Sequence, residues 1–243
     1  MKENSKIKIR VKLKCFAVLL LGIFISPRFF AQDFTADMKK VNQVYLDVDD
    51  FSMTIETSVF ASKQSKMADQ KIISRVMKLE NNYKTITDIL ETIYTTKYVI
   101  AVSKAGKTIM YAPNDKKTAN PKDMIPKLDS SFNKYDSVIF VGNISGEKHY
   151  RLLVKGTPVK EINMYFRESD YVFTRIDYLY RDKRSGFYKV ENVFKNVNLR
   201  AGLHKDEFEV DHYIIDKDPK NIIPAPAYKG YKVIHNDFAK RNK

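Results

Sequence analysis

Apolar residues first recur along the chain at the period of a helix. In "DFTADMKKVNQVYLDV", Phe34, Met38, Val41 and Tyr45 fall at spacings of four, three and four. That spacing predicts an amphipathic helix of about three turns. The period then changes to two. In "FSMTIETSVF", Phe51, Met53, Ile55 and Val59 alternate with Ser52, Thr54, Glu56 and Ser58, the pattern of a half-buried strand.

The stretch "QKIISRVMKLENNYKTITDILETIYTTKYVIAV" is ambiguous. Ile72, Ile73, Val76, Met77, Ile89, Leu90 and Ile93 fit a helix or strands, and its many β-branched residues and tyrosines favour strands. A helix across 84–94 is the alternative for the segment 70–95.

The C-terminal half reads as strands. "HYRLLV" sets Tyr150, Leu152 and Val154 on one face, and "EINMYF" does the same with Ile162, Met164 and Phe166. "YVFTRIDYLYRD" alternates Val172, Thr174, Ile176, Tyr178 and Tyr180 against Arg175 and Asp177. "FYKVENVF" offers Tyr188, Val190 and Phe194, and "DEFEVDHY" offers Phe208 and Val210. Short strands joined by Gly-, Asn- and Asp-containing turns predict an antiparallel meander. "NDKKTANPKDMIPKLD" interrupts it as a loop or short helix. Beyond "DKDPK", the stretch "YKGYKVIHND" reads as an edge strand or arm against the body.

Composition supports a folded chain. Of 243 residues 44% are hydrophobic and 12% aromatic, enough for a core. The N-terminus changes the picture more. "MKENSKIKIRVKLK" is strongly basic, "CFAVLLLGIFI" is apolar but too short for a bilayer span, and "SPRFFAQD" follows. This is the layout of a secretory signal peptide over 1–32, cut after Ala31 or Gln32, and it predicts export. Removing 1–32 takes seven of the 43 basic and one of the 29 acidic residues, so the formal net charge falls from +14 to +8. Those charges are interspersed with acids. The pattern reads as a solvated surface, compatible with an anionic membrane face and not with nucleic acid. Cys15, the sole cysteine, leaves with the same segment, so the exported chain has no disulfide and no thiolate metal site.

Three stretches carry a resemblance. "ADMKKVNQVYLDVDDFSMTIETSV" gives a helix, a hydrophilic corner and a first strand that begins at the aromatic. "YVIAVSKAGKTIMYAPND" gives a hairpin around Gly-Lys-Thr, a hydrophobe and an aromatic, followed by Pro. "VFKNVNLRAGLHKDEFEVDHY" gives closing strands with Phe208 in the last. Together they resemble the LolA-like periplasmic lipoprotein carriers, which implies a periplasmic protein of a Gram-negative bacterium. Met110 stands where that family more often has Trp, and "IIDKDP" replaces its closing Pro-x-Gly. The resemblance implies an α+β fold: a curved antiparallel sheet, an incomplete β-barrel, with helices packed on its inner face and an apolar cavity for acyl chains. It divides the chain into the signal peptide 1–32, a lipid-binding domain 33–216, and a Pro-containing C-terminal arm 217–243.

The residues alone pose the same question about the sheet's apolar face. Helix 34–48 covers part of it, and the remainder is either a collapsed core or a lipid pocket. Flexible methionines suit an adaptable pocket and serve equally as core. The candidate cavity residues are Phe51, Met53, Ile55, Met77, Met110, Leu152, Val154, Ile162, Met164, Phe166, Ile176 and Tyr178. The expected ligand is a lipid or an acylated lipoprotein, passed between inner- or outer-membrane proteins. Two other classes stand beside it: a binding or regulatory module that recognises a protein through the concave sheet, and a secreted hydrolase.

Catalytic chemistry finds little support in the chain. His149, His204, His212 and His235 show no metal-ligand spacing, and Ser145 lacks a nucleophile elbow. Asp47, Asp49 and Asp50 lack the Gly and distal Glu of a calcium loop, and acids at a helix C-terminus predict that the helix ends early. No catalytic residue, cofactor or metal is assigned. "AVSKAGKT" spells a relaxed phosphate-binding loop, yet the strand-like "IMYAP" follows where a helix is required. It reads instead as a hairpin turn in which Gly106 supplies a positive φ, so no nucleotide is expected.

Overall fold

Residues 28–114, 135–181, 186–216 and 221–235 are described by the computed structural model. Helix α1 (Arg28–Asp47) leads into two antiparallel meanders. The first comprises β1 (Asp50–Phe60), β2 (Gln70–Leu79), β3 (Asn82–Ile86), β4 (Leu90–Tyr94), β5 (Tyr98–Ser103) and β6 (Thr108–Pro113). The second comprises β7 (Tyr135–Ile144), β8 (Glu147–Val154), β9 (Val159–Arg167), β10 (Phe173–Tyr180) and β11 (Lys189–Asn198). β1 pairs with β11 and fuses the two. The C-terminal segment adds the hairpin of β12 (Ile214–Asp216) and β13 (Ile222–Pro224), then β14 (Lys232–His235), parallel to β6. The result is one curved twelve-stranded sheet in the order β14-β6-β5-β4-β3-β2-β1-β11-β10-β9-β8-β7. Among the described residues α1 is the one α-helix. The ambiguous segment 70–95 is β2, β3 and β4, as its β-branched content predicts.

Directly opposed residues of antiparallel strands share a face, so the register sorts every side chain. The inner face, on the side of α1, is apolar over the second meander. Phe34, Met38, Val41 and Tyr45 of α1 pack there on Tyr150, Leu152, Met164, Phe166, Phe173 and Ile176. Beside this core Asp37, buried, accepts hydrogen bonds from Lys148 Nζ (2.9 Å to Oδ2) and from the Tyr150 hydroxyl (2.8 Å). Burial pulls the Lys148 ammonium down and the Asp37 carboxylate more than restores it, so its pKa rises overall.

The outer face has a second core, one the alternation does not predict. Ile93, Ile100, Val102 and Ile109 pack against Tyr213 and Ile214, with Val210, Ile222, Tyr228 and Val233 around them. β5 is therefore covered on both faces, which is why "YVIAV" reads as an unbroken apolar run. A buried polar cluster clasps this layer to the sheet. Lys84 Nζ lies 3.1 Å from Glu91 Oε1 and donates to the Tyr213 hydroxyl at 2.8 Å, while that hydroxyl donates to Glu91 at 2.5 Å.

Several expectations need correction. Phe208 and Val210 are not in a closing strand but in 3-10 turns, Lys205–Phe208 and Val210–His212. Glu207 closes its turn locally, its carboxylate accepting the His204 N–H at 3.3 Å and its own N–H meeting the His204 carbonyl at 3.1 Å, and Phe208 is buried. β7 escapes the period-two reading because irregularities at 135/137 and 140/142 break its alternation. A further irregularity at 173/175 reverses the parity of β10, so Phe173 faces α1 and Thr174 the outer side, opposite to the simple alternation. The segment "NDKKTANPKDMIPKLD", expected as a loop or short helix, lies outside the described residues beyond Asn114, as does the predicted leader up to residue 27.

Candidate functional site

Where α1 ends, the inner face continues past it. Tyr45, in the last turns of the helix, stacks on Phe173 (ring centroids 6.0 Å) and meets Phe51 edge-on (6.2 Å). Its hydroxyl oxygen accepts the Phe173 backbone N–H at 3.1 Å, which satisfies a donor freed from the ladder at the β10 irregularity. Burial pushes its phenol up to about 12. The helix reaches Asp47 despite the acids at its end, because Lys78 of β2 supplies the missing cation. Lys78 is buried, and its ammonium donates to the carbonyls of Val48 and Leu46. Asp50 turns the other way and accepts the Gly202 N–H at 2.7 Å.

Beyond Tyr45 lies a cavity of about 380 Å³ over β1, β2, β3, β10 and β11. That is within the size of small-ligand pockets, roughly 300–1,000 Å³. Phe51, Met53 and Ile55 of β1 form its floor with Val76, Phe173 and Ile176, and Phe194 and the tyrosines Tyr45, Tyr83 and Tyr178 complete the apolar part. Burial raises the phenol pKa of both Tyr83 and Tyr178. Thr57, Ser74, Thr85 and Asn192 provide the polar part, in which the Thr57 hydroxyl donates to Asn192 Oδ1 at 2.7 Å.

Of the candidate cavity residues, the structure brings together Phe51, Met53, Ile55, Ile176 and Tyr178. The others lie elsewhere. Leu152, Met164 and Phe166 are filled core beneath α1, Ile162 packs at the edge of that core, and Val154 is buried at the end of β8. Met77 is buried but opposes Ser52 and Lys84, on the outer face. Met110 faces inward on β6 between Ala101 and Ile234, strands away from the cavity. Sequence reasoning missed Thr57, Ser74, Thr85 and Asn192 because it looked for apolar residues only. Each sits at the parity of its apolar neighbours, and that was the available signal.

The stretch "AVSKAGKT" joins β5 to β6 and is followed by a strand, without the helix N-terminus that a phosphate loop uses. One detail differs from expectation: Lys107, not Gly106, carries the positive φ (43°). At Gly106 the approach is tight instead: a Cβ there would lie 3.1 Å from Ser103 Oγ, which would have to shift by a few tenths of an ångström. Among the described residues no group of three or more His, Cys, Asp or Glu could hold a metal ion, and no helix is long and apolar enough to cross a membrane.

No family model matches the chain. No curated protein matches it. It is similar to several solved structures at low identity. An uncharacterised conserved protein from Thermus thermophilus is 12% identical, over 84% of this chain and 99% of that one, with a TM-score of 0.48. A LolA superfamily protein from Nitrosomonas europaea is 10% identical, over 73% and 98%, with a TM-score of 0.35. The MucA/MucB complex structure of Pseudomonas aeruginosa is 11% identical, over 73% and 61%, with a TM-score of 0.44. LolA superfamily proteins are thus among the structures this chain is similar to.

Proposed function

We propose that this protein is an exported, non-catalytic carrier that holds a lipid or the acyl chains of a lipidated ligand in the cavity beside α1. In this reading the curved sheet works as an incomplete β-barrel, with the cavity at the place where α1 stops covering its inner face. The observation that carries the proposal is the cavity's lining. Phe51, Met53, Ile55, Val76, Ile176 and Phe194 converge on one volume that no described helix fills. Acyl burial there supplies the driving force, about 0.8 kcal/mol per CH₂, and transfer needs no cofactor. Export rests on the basic and apolar N-terminus and on the absence of cysteine after Cys15.

Native mass spectrometry of the protein purified from its own host tests this. A co-purified lipid adduct is expected, and Ile55→Asp, at a half-buried lining position, removes it while the protein stays folded. A lipid-free spectrum, together with no uptake of a fluorescent acyl probe, overturns the carrier reading.

A second reading, recognition of a protein partner, draws on a different place. β7 is an edge of the sheet and exposes Ile139, Val141 and Ile144. Crosslinking from Val141 to a partner that binds equally well to Ile55→Asp supports that reading.

A further inference from the structure

The cavity lining changes character along one line. On β1 the inner positions run Phe51, Met53, Ile55 and then Thr57. On β2 Val76 gives way to Ser74, on β3 Tyr83 gives way to Thr85, and on β11 Phe194 gives way to Asn192. The register connects these four changes. Thr57 directly opposes Asn192, Ser74 opposes Ile55, and Thr85 opposes Val76, so the polar positions form a diagonal strip across four adjacent strands. Neighbours along such a diagonal are roughly 7–8 Å apart, within reach of one polar head group.

Charge is sorted even more sharply. The same strands carry Glu56, Arg75, Lys84, Arg175, Asp177, Glu191 and Lys195 on the outer face. Within β1, β2, β3, β10 and β11, Lys78 is the one charged side chain at an inner position, and its ammonium is committed to the end of α1. Among the described residues, no charged side chain lines the cavity. A carboxylate or phosphate drawn in there would meet no counter-ion, which is costly in an apolar site. Hydroxyl and amide groups, by contrast, serve an uncharged head that both donates and accepts.

We propose that the cavity selects amphiphiles with an uncharged, hydroxyl- or amide-bearing head, and that Thr57, Ser74, Thr85 and Asn192 are the residues that read it. This inference rests on the carrier reading and adds a chemical class to it. The tail lies toward Tyr45 and Phe51 and the head at the strip.

Competition binding with two probes of the same chain, 1-monooleoylglycerol and oleate, tests the proposal at pH 8, where oleate is charged. Monooleoylglycerol should displace a fluorescent acyl probe at about tenfold lower concentration than oleate or better. The T57V/N192L double variant should narrow that preference to about threefold or less by weakening the neutral probe alone. T85V, at the other end of the strip, gives an independent reading should the double variant fail to fold. Oleate binding as tightly as monooleoylglycerol, or an unchanged preference in the strip variants, overturns the head-group proposal and leaves the carrier reading standing. Failure of both probes to bind the native protein overturns both.

Discussion

Tyr45 joins the helix, the cavity and the irregular start of β10, so replacing it by Phe separates the roles of ring and hydroxyl. The ring's contacts with Phe51 and Phe173 survive in Tyr45→Phe. What is lost is the acceptor for the buried Phe173 N–H, now 3.1 Å away. An orphaned buried donor costs about 1–3 kcal/mol, so about 2 kcal/mol is expected at neutral pH. For a domain of this size that lowers Tm by roughly 4–8 °C. A second signature appears at high pH. The folded phenol is pushed up to about 12 from an ordinary value of 10.0, so the folded state prefers the neutral form. That contribution is whole below pH 10 and is lost as the pH rises from 10 toward 12, a span worth about 3 kcal/mol. Tyr45→Phe should therefore be less stable than the native protein at pH 8 yet lose stability less steeply between pH 10 and 12. Urea unfolding followed by circular dichroism at pH 8, 10 and 11 measures both effects. Equal stability at pH 8 would refute the assigned hydrogen bond, and parallel curves above pH 10 would refute the burial of the phenol.

Other parts of the fold give sharper single readings. Phe166→Ala removes a fully buried ring beneath α1 and should cost about 3–5 kcal/mol, seen as a lower urea midpoint; a change under about 1 kcal/mol would mean that this region is not filled core. Lys84→Met leaves Glu91 and the Tyr213 hydroxyl without their cation, so a loss of about 3–5 kcal/mol is expected. Amide hydrogen exchange should then quicken in 205–216 ahead of the second meander, and uniform exchange across the chain would contradict the clasp.

Much of the architecture was legible because one face of each strand is buried. α1 and β1 follow from the change of period at Asp50, and β8, β9 and β11 from simple alternation. What hid the rest was local irregularity and long-range covering. Bulges broke the alternation of β7, and one in β10 moved Phe173 to the face that periodicity gives to Thr174. The outer core around Ile100 depends on a segment more than a hundred residues away in sequence, which no local pattern reports. The cavity was half legible. Phe51, Met53 and Ile55 follow from β1 alone, whereas Leu152, Met164 and Phe166 show the same alternation and differ only in lying under α1. Alternation identifies a covered face without saying whether protein or ligand covers it.

The position of the cavity follows from how the two covers are placed. α1 lies on the inner face over β8, β9 and β10, and the C-terminal segment lies on the outer face of β4, β5 and β6. Between them, β1, β2 and β11 receive neither cover in full, and Met53, Ile55, Val76 and Phe194 remain half-buried despite an apolar inner face. Valine suits a strand as well as threonine does, so strand formation does not require the hydroxyls of Thr57 and Thr85. The Thr57 hydroxyl is used within the protein, by Asn192, which fixes the amide oxygen and leaves the amide nitrogen to act as a donor. A filled core needs no such oriented donor, whereas a site that receives the polar end of an amphiphile does.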